Sequence, residues 1–431
     1  MKRILFVILL GILALSMFSA FAANVKGQQT VDWWPTFRHD VTHTGISTST
    51  GLFFNNTVLW SYKTGNSVDY SSAAVVNGVV YFGSDDHYVY ALNAATGAFI
   101  WSYKTGNTID SSPAVANGIV YIGSIDDKVY ALDATNGAKI WSYTTGNRVE
   151  SSPTVVNGVV YVGSDDNKLY ALNAQTGTKI WSYSTGNAVV SSPAVVNGVV
   201  YVGSEDHNVY AINAQTGQKE WSYSTGDQVD SSPAVANGLV YIGSNDFNVY
   251  GLSATTGTKV WSFSTGDEVD SCPVVANGVV YIGSEDYNLY ALNAESGSKM
   301  WSYSTGSQIE SSPAFADGIV YVGSDDNDIY ALNATTGGTV WTYGTNGIVD
   351  ASPAVANGVV YVGSKDDTMY AFGSITVPQP SLAPQPSLTP QPSATIPEFP
   401  NQAIDFTLLA LTLCSALLIA IAKNKKIMCK I

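Results

Sequence analysis

SSPTVVNGVVYVGSDDNKLYALNAQTGTKIWSYSTG, residues 151–186, reads as four short strands separated by turns. The run from Ser151 to Val156 stops at Asn157-Gly158, a strong two-residue hairpin signal. Val159-Val160-Tyr161-Val162 is a second run, closed by Gly163-Ser164-Asp165-Asp166-Asn167, and Leu169-Tyr170-Ala171-Leu172 is a third, turning at Thr176-Gly177. Lys179-Ile180-Trp181-Ser182-Tyr183 is the fourth. The second and third runs are apolar at successive positions instead of alternating, as strands covered on both faces are.

Outward from this stretch the pattern recurs every 40 residues. Trp101, Trp141, Trp181, Trp221, Trp261, Trp301 and Trp341 form one column, and Trp60 extends it with one extra residue. Tyr81 to Tyr361 form another, in eight copies. A period of 40–45 with four strands per unit is the mark of propeller blades. The eighth unit ends at Phe372 with no tryptophan strand after it, while an orphan strand around Trp60 precedes the first. Pairing the two closes the ring and hides the sheet edges. The expected fold is all-β: an eight-bladed β-propeller of four-stranded antiparallel blades, closed by the N-terminal strand around Trp60.

Both ends lie outside this repeat. Lys2 and Arg3, the apolar run Ile4–Phe18 and the small-residue pattern at Ala20-Phe21-Ala22 predict a secretory signal peptide, 1–23. An extension packing on the propeller, 24–56, leads into the propeller, 57–373. A Pro-rich linker follows, 374–400, with three Pro-Gln-Pro-Ser copies. Its proline content favours an extended stalk over Pro378 to Pro400, up to roughly 70 Å at about 3.1 Å per residue. Residues 401–422 are apolar enough for a transmembrane anchor or sorting segment, and the basic tail 423–431, with Lys423, Lys425, Lys426 and Lys430, belongs in the cytoplasm. The localisation expected is secreted, at the extracellular face of the cell membrane, C-terminally anchored or processed by a sorting enzyme.

The recurring Tyr-x-Gly-Ser-x-Asp…Tyr-Ala-Leu-x-Ala-x-Thr-Gly-x-x-x-Trp resembles the PQQ-like β-propeller repeat, over residues 33–373. Trp34-Pro35-Thr36-Phe37-Arg38-His39-Asp40, with His43-Thr44-Gly45, is similar to the segment that opens such propellers. Pro397-Glu398-Phe399-Pro400 before the apolar span resembles the PEF-type sorting signal of archaeal surface proteins. The repeat resemblance implies the fold, and it is shared by quinoprotein dehydrogenases and by non-enzymatic assembly-factor-like proteins. In the dehydrogenases it implies a quinone on the axis, a tryptophan beneath it, a pair of adjacent cysteines and a calcium ion. This chain has no Cys-Cys pair, and Cys272 is its only cysteine before the anchor. The repeat tryptophans belong to the outer strand, and near-identical blades supply no unlike residues in distinct catalytic roles. A non-catalytic scaffold, with no cofactor expected, is therefore the main reading; a PQQ-dependent oxidoreductase is the alternative.

Charge points to the partner. Setting both ends aside leaves thirteen Lys and Arg against thirty-three Asp and Glu between residues 24 and 400, a balance that excludes nucleic acid. Two acidic columns stand out. Asp86, Asp126, Asp166, Asp206, Asp246, Asp286, Asp326 and Asp366 occupy a hairpin and read as turn-stabilising. Asp110, Glu150, Asp230, Asp270, Glu310 and Asp350 precede each inner strand, with Tyr70 and Val190 breaking the series. In propeller geometry both columns decorate one rim, the second nearest the axis. These six are the candidate metal residues, for Ca²⁺; the other expected partners are a surface protein or glycan, and the membrane through the anchor. His39 and His43, four apart, could share a helical face as metal ligands, against the plainer reading of a segment packed on the propeller.

Overall fold

The computed structural model describes residues 32–49 and 56–373. The signal peptide, most of the extension's start, the stalk, the anchor and the tail lie outside the described residues. Among the described residues no helix is long and apolar enough to cross a membrane.

Eight four-stranded antiparallel sheets follow one another along the chain. In blade 3 the strands are Thr154–Val156, Val159–Ser164, Lys168–Asn173 and Lys179–Ser184, from inner to outer. The inner hairpin turns at Asn157 (φ 51) and Gly158 (φ 77), and both positive angles are what a twist-matched two-residue turn requires. All but the edges of the second and third strands is buried, whereas the outer strand has only exposed and half-buried positions. In blade 8 the outer strand is Val58–Lys63, antiparallel to Thr368–Phe372, with Trp60 opposite Ala371 and Lys63 opposite Thr368. The ring is closed by strands from both ends of the repeat.

Neighbouring blades are joined by the two aromatic columns. Trp141 Nε1 and Tyr121 Oη both donate to the Ala174 carbonyl of blade 3, at 2.9 and 3.1 Å. The indole also lies against Gly177, where an added Cβ would sit 2.7 Å from Trp141 Cδ2 and where φ is 70°. Glycine is required there twice over, by the turn and by the indole. The same arrangement recurs around the ring, from Trp60 on Ala94 to Trp301 on Ala334.

A ring of hydrogen bonds encircles the axis. Ser72 N–H donates to Ser112 Oγ, Ser112 N–H to Ser152 Oγ, and so on through each blade. Ser352 N–H donates to Ser72 Oγ at 3.1 Å and closes the circle. Cys272 takes its turn with Sγ as acceptor, 3.1 Å from Ser232 N. Every member is buried, so each polar group answers another.

Residues 32–49 run along the inner strands. Their backbone bonds reach Val75, Val115, Val195, Val235, Val275 and Phe315 in turn, and Ile46–Ser47 adds a parallel fifth strand to blade 7. The segment is a chain of turns, not a helix: Arg38, His39, His43 and Gly45 all have positive φ.

Candidate functional site

Each outer strand hands over to the next inner strand on the face where the second strand turns into the third. The two loops are laced together. Asp246 Oδ2 accepts from Gly226 N–H of the preceding loop and from Tyr250 Oη, both at 2.6 Å, while Oδ1 accepts from Asn248 N–H at 3.1 Å. Asp86, Asp166 and Asp366 make the corresponding pair of Oδ2 bonds, to the backbone N–H of the preceding loop and to the tyrosine hydroxyl. This column is structural, and it fastens neighbouring blades as well as its own hairpin.

The inner acidic column differs from the sequence reading at one place. Val68 N–H donates to Ser364 O at 3.2 Å, as Val149 N–H does to Ser124 O, and Ser71 matches Ser111 in the serine columns. Asp69 therefore occupies the seat of Asp110, and Tyr70 is an inserted residue, 48% exposed. Seven of eight seats hold carboxylates: Asp69, Asp110, Glu150, Asp230, Asp270, Glu310 and Asp350. Val190 is the one gap.

A second set, missed in the sequence, faces them from the hairpins, one residue before each structural aspartate. It comprises Asp85, Asp165, Glu205, Glu285 and Asp325, interrupted by Ile125, Asn245 and Lys365. Burial, then repulsion from Asp85 and Glu150, pushes Asp110 up to about 7. Burial and the Asp230 charge push Asp270 up to about 8. Burial is also the main cause for Asp69 and Asp325, up to about 8, for Asp165 and Glu285, up to about 7, and for Asp230, up to about 6. Two unit charges 4–5 Å apart repel by about 3–4 kcal/mol at an effective dielectric near 20, so a proton or a cation relieves the site.

The chain supplies such cations in two sectors. Lys365 Nζ lies 2.6 Å from Asp350 Oδ2 and 3.5 Å from Asp69 Oδ2, and 5.5 Å above the Tyr70 ring. Arg148 lies 3.8 Å from Glu150. Among the described residues, the inner carboxylates of blades 5 and 6 receive amide donors and no cation: Asn245 Nδ2 reaches Asp230 at 3.2 Å and Glu268 at 3.4 Å, and Gln308 Nε2 reaches Glu285 at 2.8 Å. There Glu268, Asp270 and Glu285 each offer a carboxylate oxygen, all within 4.8 Å of one another. Of the six residues singled out in the sequence, Asp270 alone belongs to this group; the others are spread around the ring. Phe247 and Tyr287 stand at the same sector, 44% and 48% exposed, in hairpin positions with φ of 67° and 71°. Bulky residues rarely take that conformation.

The opening segment holds the other singled-out groups. His39 lies 3.6 Å from Asp32 and 3.7 Å from Asp40. Burial alone would lower it, but the two carboxylates push it up to about 9. His43 is buried with Nε2 3.2 Å from Thr154 Oγ1, and burial pushes it down to about 4. The two imidazoles serve different contacts. Arg38, 1% exposed, donates Nη1–H to the Pro313 carbonyl.

The family model described as outer membrane protein assembly factor BamB matches residues 54–151, 128–229, 224–313 and 304–376. No curated protein matches the chain. Among solved structures, BamB from Moraxella catarrhalis is 20% identical over 74% of this chain and 99% of its own, with a TM-score of 0.65. A quinohemoprotein alcohol dehydrogenase from Comamonas testosteroni is 17% identical over 83% of each chain, with a TM-score of 0.69. The computationally designed Ika8 protein is 19% identical over 74% of this chain and 99% of its own, with a TM-score of 0.67. At such identities the likeness to these structures is one of fold, which an assembly factor, an oxidoreductase and a designed protein share. The matched segments together span the whole propeller, and the chain belongs to the BamB-type PQQ-repeat family.

Proposed function

We propose that the chain is a non-catalytic binding scaffold of the cell exterior, held at the membrane by its C-terminal segment, which presents the acidic face of a rigid propeller to a cationic partner. The partner is a calcium ion or a basic segment of another surface protein. The observation that carries this reading is the asymmetry of the rim: Lys365 neutralises the blade 8 sector, while Glu268, Asp270 and Glu285 converge with no side-chain cation paired to them among the described residues. Three carboxylates supply up to six of the oxygens that Ca²⁺ takes. Phe247 and Tyr287, exposed on the hairpins of the same two blades, offer ring faces to an ammonium or guanidinium group.

The oxidoreductase alternative fares poorly against the same residues. A quinone tricarboxylic acid at the axis would meet a near-complete ring of carboxylates. The repeat tryptophans, engaged with the next blade's carbonyl, are not available beneath it. The residues present do not fit that group.

Millimolar Ca²⁺ should raise the melting temperature of the purified body, because a ligand that binds only the folded state stabilises it by mass action. Replacing Glu268, Asp270 and Glu285 by Gln, Asn and Gln should remove most of the increment. Equal stabilisation by NaCl at matched ionic strength, or an undiminished response in the triple variant, would defeat the calcium reading.

A further inference from the structure

We propose that Asn333 is an N-glycosylation site, an inference that rests on the extracellular reading above. Asn333-Ala334-Thr335 has the acceptor pattern, with a residue other than proline in the middle. The position belongs to a column: Asn93, Asp133, Asn173, Asn213, Ser253 and Asn293 hold the same place between the third and outer strands of the other blades. Where that residue is Asn, the residue two further on is Ala95, Gln175, Gln215 or Glu295, and only at Asn333 is it a hydroxyl residue. Asn333 is also the one member of the column that is exposed; the other six are half-buried. Motif and exposure are separate properties, and they coincide at one seat of seven.

The turn leaves the reacting atom free. Asn333 Oδ1 accepts from Thr335 N–H and Thr336 N–H, both at 3.0 Å, and from Thr336 Oγ1 at 3.1 Å. Nδ2 has no hydrogen-bond partner among the described residues, whereas Asn213 Nδ2, its counterpart in blade 4, is tied to Glu220 at 3.1 Å. A sugar on Nδ2 would leave Oδ1 to hold the turn, so the modified chain folds as the bare one does. In the transfer, Nδ2 forms a bond to C1 of a sugar carried on a membrane lipid phosphate. The C1–O bond to phosphate breaks, the lipid phosphate leaves with the electron pair, and a base of the transferase takes one Nδ2 proton. The turn lies on the face opposite the acidic rim, so the glycan would leave that rim open.

The test uses full-length protein recovered from the cells that make it. Trypsin releases residues 300–365 as one peptide, cut after Lys299 and Lys365. Its mass should exceed the sequence mass by whole sugar residues, mapped to Asn333 by fragmentation. Thr335→Val should abolish the increment with an unchanged melting temperature, because it keeps the backbone N–H that Asn333 Oδ1 accepts. Protease shaving of intact cells is run in parallel. A bare Asn333 on a chain that shaving removes would overturn this inference alone. A bare Asn333 on a chain that shaving cannot reach would overturn the extracellular reading with it.

Discussion

At the scale of the residue, the repeat separates positions that tolerate exchange from positions that do not. Asp246 collects an N–H from the preceding loop, an N–H from its own hairpin and a tyrosine hydroxyl. Hydrogen bonds to a charged acceptor contribute about 1.5–3 kcal/mol, so Asp246→Ala should destabilise the body by at least about 2 kcal/mol in urea unfolding. Cys272→Ser should stay within about 0.5 kcal/mol, because a serine Oγ accepts the same N–H at the other seven positions of the ring. An unaffected Asp246→Ala variant would reduce the invariant column to decoration. That column is legible in the sequence because nothing interrupts its period of 40. The inner ring is legible except at Asp69, where one inserted residue, Tyr70, shifts the seat; the bond from Val68 N–H to Ser364 O and the place of Ser71 in the serine column reveal the register. Asp85, Asp165, Glu205, Glu285 and Asp325 escape notice because Ile125, Asn245 and Lys365 break their column, and because the axis side of a hairpin residue is set by the fold.

Among the elements, the strand Val58–Lys63 and the segment 32–49 behave differently under sequence reading for a physical reason. The strand is a fragment of the repeat, so its missing partner could be counted. Segment 32–49 occurs once, and its path follows from bonds to six inner strands that no local pattern encodes. The two can be separated by truncation. Removing residues 24–64 takes away the outer strand of blade 8 together with the Trp60 indole that grips the Ala94 carbonyl at 2.9 Å. An open strand edge at the seam should drive association, seen as loss of the monomer peak in size-exclusion chromatography. Removing 24–55 alone keeps that strand and should leave a monomer with a lower melting temperature. A monomeric 24–64 truncation melting at the wild-type temperature would contradict closure by this strand.

Across the whole molecule, charge is distributed by the direction of the strands. Between residues 56 and 373, twenty-six Asp and Glu lie at the rim face against six Lys and Arg, a net charge of −20. The opposite face carries four acids and five lysines. The solvated carboxylates of the rim can remain apart, but the inner groups cannot, and their pKa values are raised to between about 6 and about 8. A raised carboxyl binds its proton more tightly folded than unfolded, where it titrates near 4. Between those values the native state holds the extra protons, so stability must fall as pH rises and recover as pH falls. His43, lowered to about 4, works the other way below about pH 6.5; His39, raised to about 9 by Asp32 and Asp40, adds to the decline between about pH 6.5 and 9, and the two lowered carboxylates lose their contribution only below about pH 4. Seven carboxylates outweigh one imidazole, although they titrate as a coupled set and not as seven independent steps. The melting temperature, measured without divalent ions at constant ionic strength, should therefore decline steadily from pH 6 to pH 8.5. High monovalent salt should flatten the decline by screening the ring, and the Glu268, Asp270, Glu285 triple variant should flatten it further by removing two of the raised carboxyls. A melting temperature that is level or rising across this range would mean that the inner carboxylates are already solvated, and that the rim holds no unrelieved charge for a cationic partner to answer.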